Sequence, residues 1–211
     1  SHLPKEWKNV DVLINNAGNA HGLDPVQTAN LDDWDAMIDG NVKGLMYVTK
    51  AILPNMLKAK KGHIINLGSI AGKEVYPNGN VYCSSKYAVE AFTQGLRIDL
   101  NPDGIKVSAI HPGLVHTEFS EVRFKGDQKR ADKVYDGIEA LKAKDVADAI
   151  LYIALAPSKV NIAEASIDTD NALTDGKFMP SVAGYYQISG SLYSSSSPHA
   201  NRIISEIHKN G

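Results

Sequence analysis

The chain has 211 residues, 43% apolar and 22% charged, with 22 basic and 24 acidic side chains for a formal charge of −2. That composition suits one globular domain and little more, and it carries no electrostatic footprint for nucleic acid or an anionic membrane. A single cysteine, Cys83, excludes an intrachain disulfide and a cysteine-rich zinc site, and no bound metal is expected. No apolar run approaches the roughly 18 residues that span a bilayer, and residues 1–5 lack an apolar leader core. A reducing, cytoplasmic setting is the default expectation.

The first predicted strand is residues 10–14, a short apolar run that stops at Asn15-Asn16-Ala17-Gly18. Residues 32–59 follow with apolar side chains at Trp34, Met37, Ile38, Val42, Leu45, Met46, Val48, Ile52 and Leu53. Their steps of three and four predict one long helix with Asp32 as its cap. A second strand, 63–67, runs into Gly68-Ser69. A helix over 80–100 is predicted from Val81, Ala88, Val89, Phe92, Leu96 and Leu100. A third strand, 105–110, enters His111-Pro112-Gly113, and a helix over 144–156 stops at Pro157. Near-continuous apolar strands alternating with helices predict an α/β fold of Rossmann type, a doubly wound parallel sheet covered on both faces. From about residue 166 the chain turns polar, then rich in serine, glycine and tyrosine. Residues 1–165 are therefore taken as one domain and 166–211 as an atypical tail.

Open parallel sheets bind ligands beyond the carboxyl ends of their strands. Three residues near such ends stand out. Tyr82 and Lys86 are four apart on a predicted helix and project from one face, and Ser69 lies just past a strand. A phenol ordinarily titrates near 10, too high for a proton acceptor at neutral pH. Lowering it by about three units takes roughly 4 kcal/mol, which the Lys86 ammonium and a cationic nicotinamide ring could supply together. Ser69 would hold the substrate oxygen. A tyrosine and a lysine at this spacing also occur on many solvated helix faces.

The surrounding motifs sharpen the reading. Asn15-Asn16-Ala17-Gly18 after a strand, Asn41 in a helix, Ser69, Tyr82-Cys83-Ser84-Ser85-Lys86, and Pro112-Gly113 followed by Thr117 resemble, in order and spacing, the short-chain dehydrogenase/reductase family. The resemblance runs over about residues 3–167. It implies a catalytic set of Asn41, Ser69, Tyr82 and Lys86, in which Asn41 holds a proton-relaying water; the plainer role for Asn41 is capping or kinking its helix. It implies cofactor contacts from Asn16, Ala17 and Gly18 on the adenosine side, from Tyr82 and Lys86, and from Pro112, Gly113, Val115 and Thr117 beside the nicotinamide. His111 is read as a plain loop histidine.

Residues 67–72, 112–115, 117–120 and 122–127 further resemble the NADP-dependent dehydrogenases of serine and other 3-hydroxy acids. That branch implies NADP as cofactor, with NAD left open, and a small hydroxy acid or alcohol as substrate. It also implies a homo-oligomer, dimer or tetramer. With Ser69 and Tyr82, Arg123 is the expected substrate contact, because its planar fork suits a carboxylate; the alternative is an arginine paired with Glu121 or solvent.

No glycine-rich turn precedes Asn15, so the family's first βαβαβ half is expected to be missing and the fold truncated at its N-terminus. The strand at 10–14 would then be an edge with apolar side chains uncovered. After residues 160–163 the family's last strand is expected, but residues 166–170 match it poorly. In a permuted arrangement, residues 185–189 would form a strand and 200–209 a helix in place of the missing half. The contrasting functional expectation is an inert fragment that acts only by associating with other subunits.

Overall fold

The computed structural model describes residues 9–169. Four parallel strands form the main sheet in the order β1 (Val12–Asn15), β2 (Gly62–Leu67), β3 (Ile105–Pro112) and β6 (Glu164–Ile167). The first three are the predicted strands, with β3 running on through His111 and Pro112. Between β1 and β2 lie α1 (Leu31–Ile38), a π-helical turn over Asp39–Gly44, and α2 (Leu45–Ala59); α3 (Asn80–Leu100) joins β2 to β3. Beyond β3 come β4 (Val115–His116), α4 (Phe119–Arg123), α5 (Gln128–Lys133), β5 (Leu141–Lys142) and α6 (Ala143–Ala154). The two short strands β4 and β5 pair in parallel as a separate ribbon.

The alternation of side chains along β2 explains the layering. Ile64 faces a cluster with Met56, Leu96, Leu100, Ile105 and Val107 beneath α2 and α3. Its neighbour Ile65 faces the opposite cluster with Ile110, Val146 and Ile153 beneath α6. Helices thus cover both faces, as the apolar strands predict. Among the described residues β1 is an edge strand. Leu13 packs into the first cluster, whereas Val12 and Ile14, on the other face, are 38% and 46% exposed.

Three expectations need correction. The helix expected over 32–59 is broken by the π turn, and its first cap is Asn30, whose Oδ1 accepts from the Asp32 N–H at 2.8 Å. Gly40 and Gly44 weaken the helix there. The buried Asn41 side chain ties the turn to the backbone of Asn19 at 2.7 and 2.8 Å. The weakly matching segment after Ala163 does form a final strand, in register with Ala109–Pro112 of β3, and it continues past residue 166. Backbone pairing beside a buried strand overrides the poor side-chain match. His111 is not a loop residue: it lies in β3 and is fully buried. The strand and helix considered over 185–189 and 200–209 lie outside the described residues.

Candidate active site

The carboxyl ends of β1 and β2 are locked by a buried amide network. Asn15, at the end of β1, donates to Thr49 Oγ1 of α2 at 3.0 Å and to Asn66 Oδ1 at 2.8 Å. Asn66 donates to Thr93 Oγ1 of α3 at 2.8 Å. Each buried polar group finds a partner, so the network fixes where both strands release the chain.

Past β2, Ser69 caps a short 3₁₀ turn, its Oγ accepting from the Ala71 N–H at 3.1 Å. Across from it α3 presents Tyr82 and Lys86. Tyr82 shares a side-chain hydrogen bond with Ser69, and the Lys86 ammonium lies 5.9 Å from the Tyr82 ring centre. Lys86 is buried and donates to Leu67 O at 3.1 Å. The three residues singled out by chemistry therefore meet. Gly72 sets their spacing. An added Cβ there would come within 2.8 Å of the Lys86 carbonyl oxygen, so the 3₁₀ turn and α3 touch backbone to backbone. A Gly72→Ala chain is expected to unfold about 1–3 kcal/mol more easily, a shift that denaturant melts will measure.

The electrostatics depart from expectation. Burial pushes the Tyr82 phenol up to about 12, against the opposing pull of the Ser69 hydrogen bond and the Arg123 charge. Burial lowers Lys86 to about 8. In this state desolvation of the phenolate outweighs the Arg123 charge, so the phenol stays high.

The remaining predicted residues fall around this centre. Asn41 lies behind it, donating to Ser85 Oγ of α3 at 3.0 Å. Asn16, Ala17 and Gly18 form an exposed loop after β1. A Cβ on Gly18 would lie 3.0 Å from Asn41 Oδ1 and 3.7 Å from the Lys86 amine, so main chain alone fits there. Pro112 ends β3. Gly113 donates its N–H to Ile167 O at 2.8 Å, and the Asp168 carboxylate packs on its Cα side, where a Cβ would come within 1.9 Å. Val115 is held in the β4–β5 ribbon, and the exposed Thr117 accepts from the Phe119 N–H at 3.3 Å through its hydroxyl.

Arg123 reaches the site and pairs neither with Glu121 nor with solvent alone. Its Nε donates to Gly22 O at 3.0 Å, its terminal nitrogen donates to the Tyr76 hydroxyl at 2.9 Å, and its guanidinium lies 5.5 Å from the Tyr82 ring centre. Arg123 and Tyr82 line one pocket with His21, Asn30, Trp34 and Met37. Sequence reasoning missed Tyr76 and the Gly22 carbonyl, since neither lies at a local spacing from Arg123.

The profile of the short chain dehydrogenase family matches residues 1–128. The chain belongs to this family. It is 49% identical over 161 residues to the NADP-dependent 3-hydroxy acid dehydrogenase of Salmonella typhi, covering 76% of this chain and 65% of that protein. The protein of the same description in Schizosaccharomyces pombe is 47% identical over 165 residues, covering 78% and 64%. Among solved structures, the closed form of serine dehydrogenase complexed with NADP+ superimposes with a TM-score of 0.78 at 47% identity, covering 80% of this chain and 68% of that one. The chain thus spans about two thirds of the length of these family members. No helix among the described residues is long and apolar enough to cross a membrane.

Proposed function

We propose that this chain carries the catalytic half of an oxidoreductase that moves a hydride between NADP and a small hydroxy acid or alcohol, with Tyr82 as proton donor and acceptor. The observation that carries the reading is the meeting of Ser69 and Lys86 at Tyr82, which itself lines a pocket together with Arg123. The NADP-dependent 3-hydroxy acid dehydrogenases at 47–49% identity support the cofactor and the substrate class.

The residues present fit the nicotinamide half of such a cofactor. Lys86 uses one of its three donors on Leu67 O, so two remain for sugar hydroxyls. The Gly18 cradle and the exposed Thr117 hydroxyl offer close approach and a hydrogen bond. Asn16, Ala17, Pro112, Gly113 and Val115 complete the expected contacts. Among the described residues no glycine-rich turn opens a helix before β1. When bound, NADP supplies the hydride acceptor for a carbinol, and its reduced form the donor for the reverse reaction.

Ser69 holds the substrate oxygen, and the Tyr82 phenol exchanges the proton with it. Lys86, at about 8, is mostly cationic at neutral pH and favours the phenolate as the site fills. Asn41 positions a water that passes protons to Lys86. Arg123 takes the substrate carboxylate, charge against charge. Arg123→Gln should therefore raise KM for a 3-hydroxy acid about tenfold or more and leave an uncharged secondary alcohol little changed. Equal loss on both substrates would remove the carboxylate role.

NADPH titration, read by ligand fluorescence, tests the whole proposal. Saturable micromolar binding supports it. Failure to bind at millimolar concentration would favour a second reading, a fragment acting only through other subunits, for which the β1 edge speaks, unpaired among the described residues and with Val12 and Ile14 exposed there.

A further inference from the structure

Against Gly68, and one helical turn beyond Lys86 on α3, the fold buries an unusual cluster that does not line the Tyr82–Arg123 pocket. His111 of β3 has a side chain only 1% exposed. Its Nε2 lies 3.1 Å from Glu90 Oε2 of α3 and 3.8 Å from Glu164 Oε2 at the start of β6. The three ligand-type atoms all lie within 4.8 Å of one another. Neither His111 Nε2 nor Glu90 Oε2 makes a hydrogen bond of good geometry, although both are buried. The imidazole fits because residue 68 is glycine: a Cβ there would come within 2.4 Å of His111 Nδ1.

One cation already attends the carboxylates. The Lys73 ammonium lies 3.3 Å from Glu90 Oε1 and 2.8 Å from Glu164 Oε2. Its side chain is 34% exposed, and Glu164 is 31% exposed, so this side is the entrance. Glu90 Oε1 also accepts from Gln94 Nε2 at 2.7 Å, which orients the carboxylate. Burial works to raise the Glu90 carboxyl, but His111, Gln94 and Lys73 outweigh it and hold the group ionised, below the usual carboxylate range.

We propose that Glu90, His111 and Glu164 form a binding site for a divalent cation of the zinc class, guarded by Lys73 as an internal competitor. One imidazole and two carboxylates are a donor set that suits zinc and its neighbours better than magnesium or calcium. The pair of negative charges matches a dication. When the metal enters, Lys73 swings outward into solvent, and the position it leaves becomes the open fourth coordination site. The site is built by tertiary structure alone, since its ligands come from a helix and two strands far apart in sequence.

The test is direct and needs no turnover. Zinc is titrated into the full chain against a chromophoric chelator, and cobalt is added separately to read the visible absorption of a tetrahedral site. Micromolar zinc binding is expected. Glu164→Gln should weaken it about tenfold or more. Lys73→Met, which removes the competing ammonium, should tighten it. Both positions lie at the entrance rather than in the core, so both chains should fold even where a His111→Ala chain does not. Excess magnesium should not displace the zinc. Zinc binding that ignores both entrance variants belongs to other histidines and overturns the proposal. So does a chain that binds no zinc at millimolar concentration, which would leave the cluster an ion-pair network closed by Lys73.

Discussion

Replacing Tyr82 with phenylalanine is expected to lower turnover about 10²–10⁴-fold, the range of a single positioned acid–base group, with little effect on the fold. The ring would keep its edge contact with Phe119, whose centroid lies 5.8 Å away, and the nearby Arg123 guanidinium. Only the hydroxyl bonded to Ser69 is removed. Rates followed by NADPH absorbance with a panel of 3-hydroxy acids, beside melting curves for both chains, give the comparison. Full activity in the phenylalanine chain would exclude Tyr82 as the proton carrier. A collapsed melting transition would mean instead that the hydroxyl matters to folding.

A large loss of stability is also expected on mild acidification. His63 in β2 is 3% exposed, and its Nε2 meets Ser108 Oγ at 2.8 Å. Burial, followed by the charge of Lys106, pushes its pKa from 6.5 down to about 4. The folded chain therefore keeps His63 neutral over a range where the unfolded chain takes up a proton. Stability is complete above pH 6.5 and falls as the pH drops towards 4, by about 3 kcal/mol for this group. The melting temperature should fall by about 6–12 °C across that window. A His63→Gln chain should show a much flatter profile there. A wild-type melting temperature that is level between these limits would refute the assignment. Loss of the Glu90 ion pairs belongs to lower pH, because that carboxyl is held below the usual range.

Much of the fold can be read along the chain because its signals are local. The apolar runs at 63–67 and 105–110 announce strands covered on both faces, and the structure places a separate core cluster on each side of β2. Tyr82 and Lys86 are adjacent on α3 because four residues make about one helical turn. The π turn was hidden, since its apolar periodicity nearly matches that of a helix. What breaks the helix is a polar tie from Asn41 to Asn19, 22 residues away. The last strand was hidden for a related reason. Glu164–Ile167 has little strand character of its own and forms by pairing with β3.

The amino-acid sequence by itself determined the family, the parallel α/β architecture, and the identity and spacing of Ser69, Tyr82 and Lys86. Only the tertiary structure decided what surrounds them. Arg123 is anchored by Tyr76, 47 residues away, and by Gly22, 101 residues away. His111, unremarkable in its motif, is buried against Glu90 and Glu164. Periodicity and turn chemistry act over a few residues and can be read from spacing. Charge pairing, desolvation and their pKa consequences depend on which distant groups the sheet and helices bring together, and no local pattern encodes that.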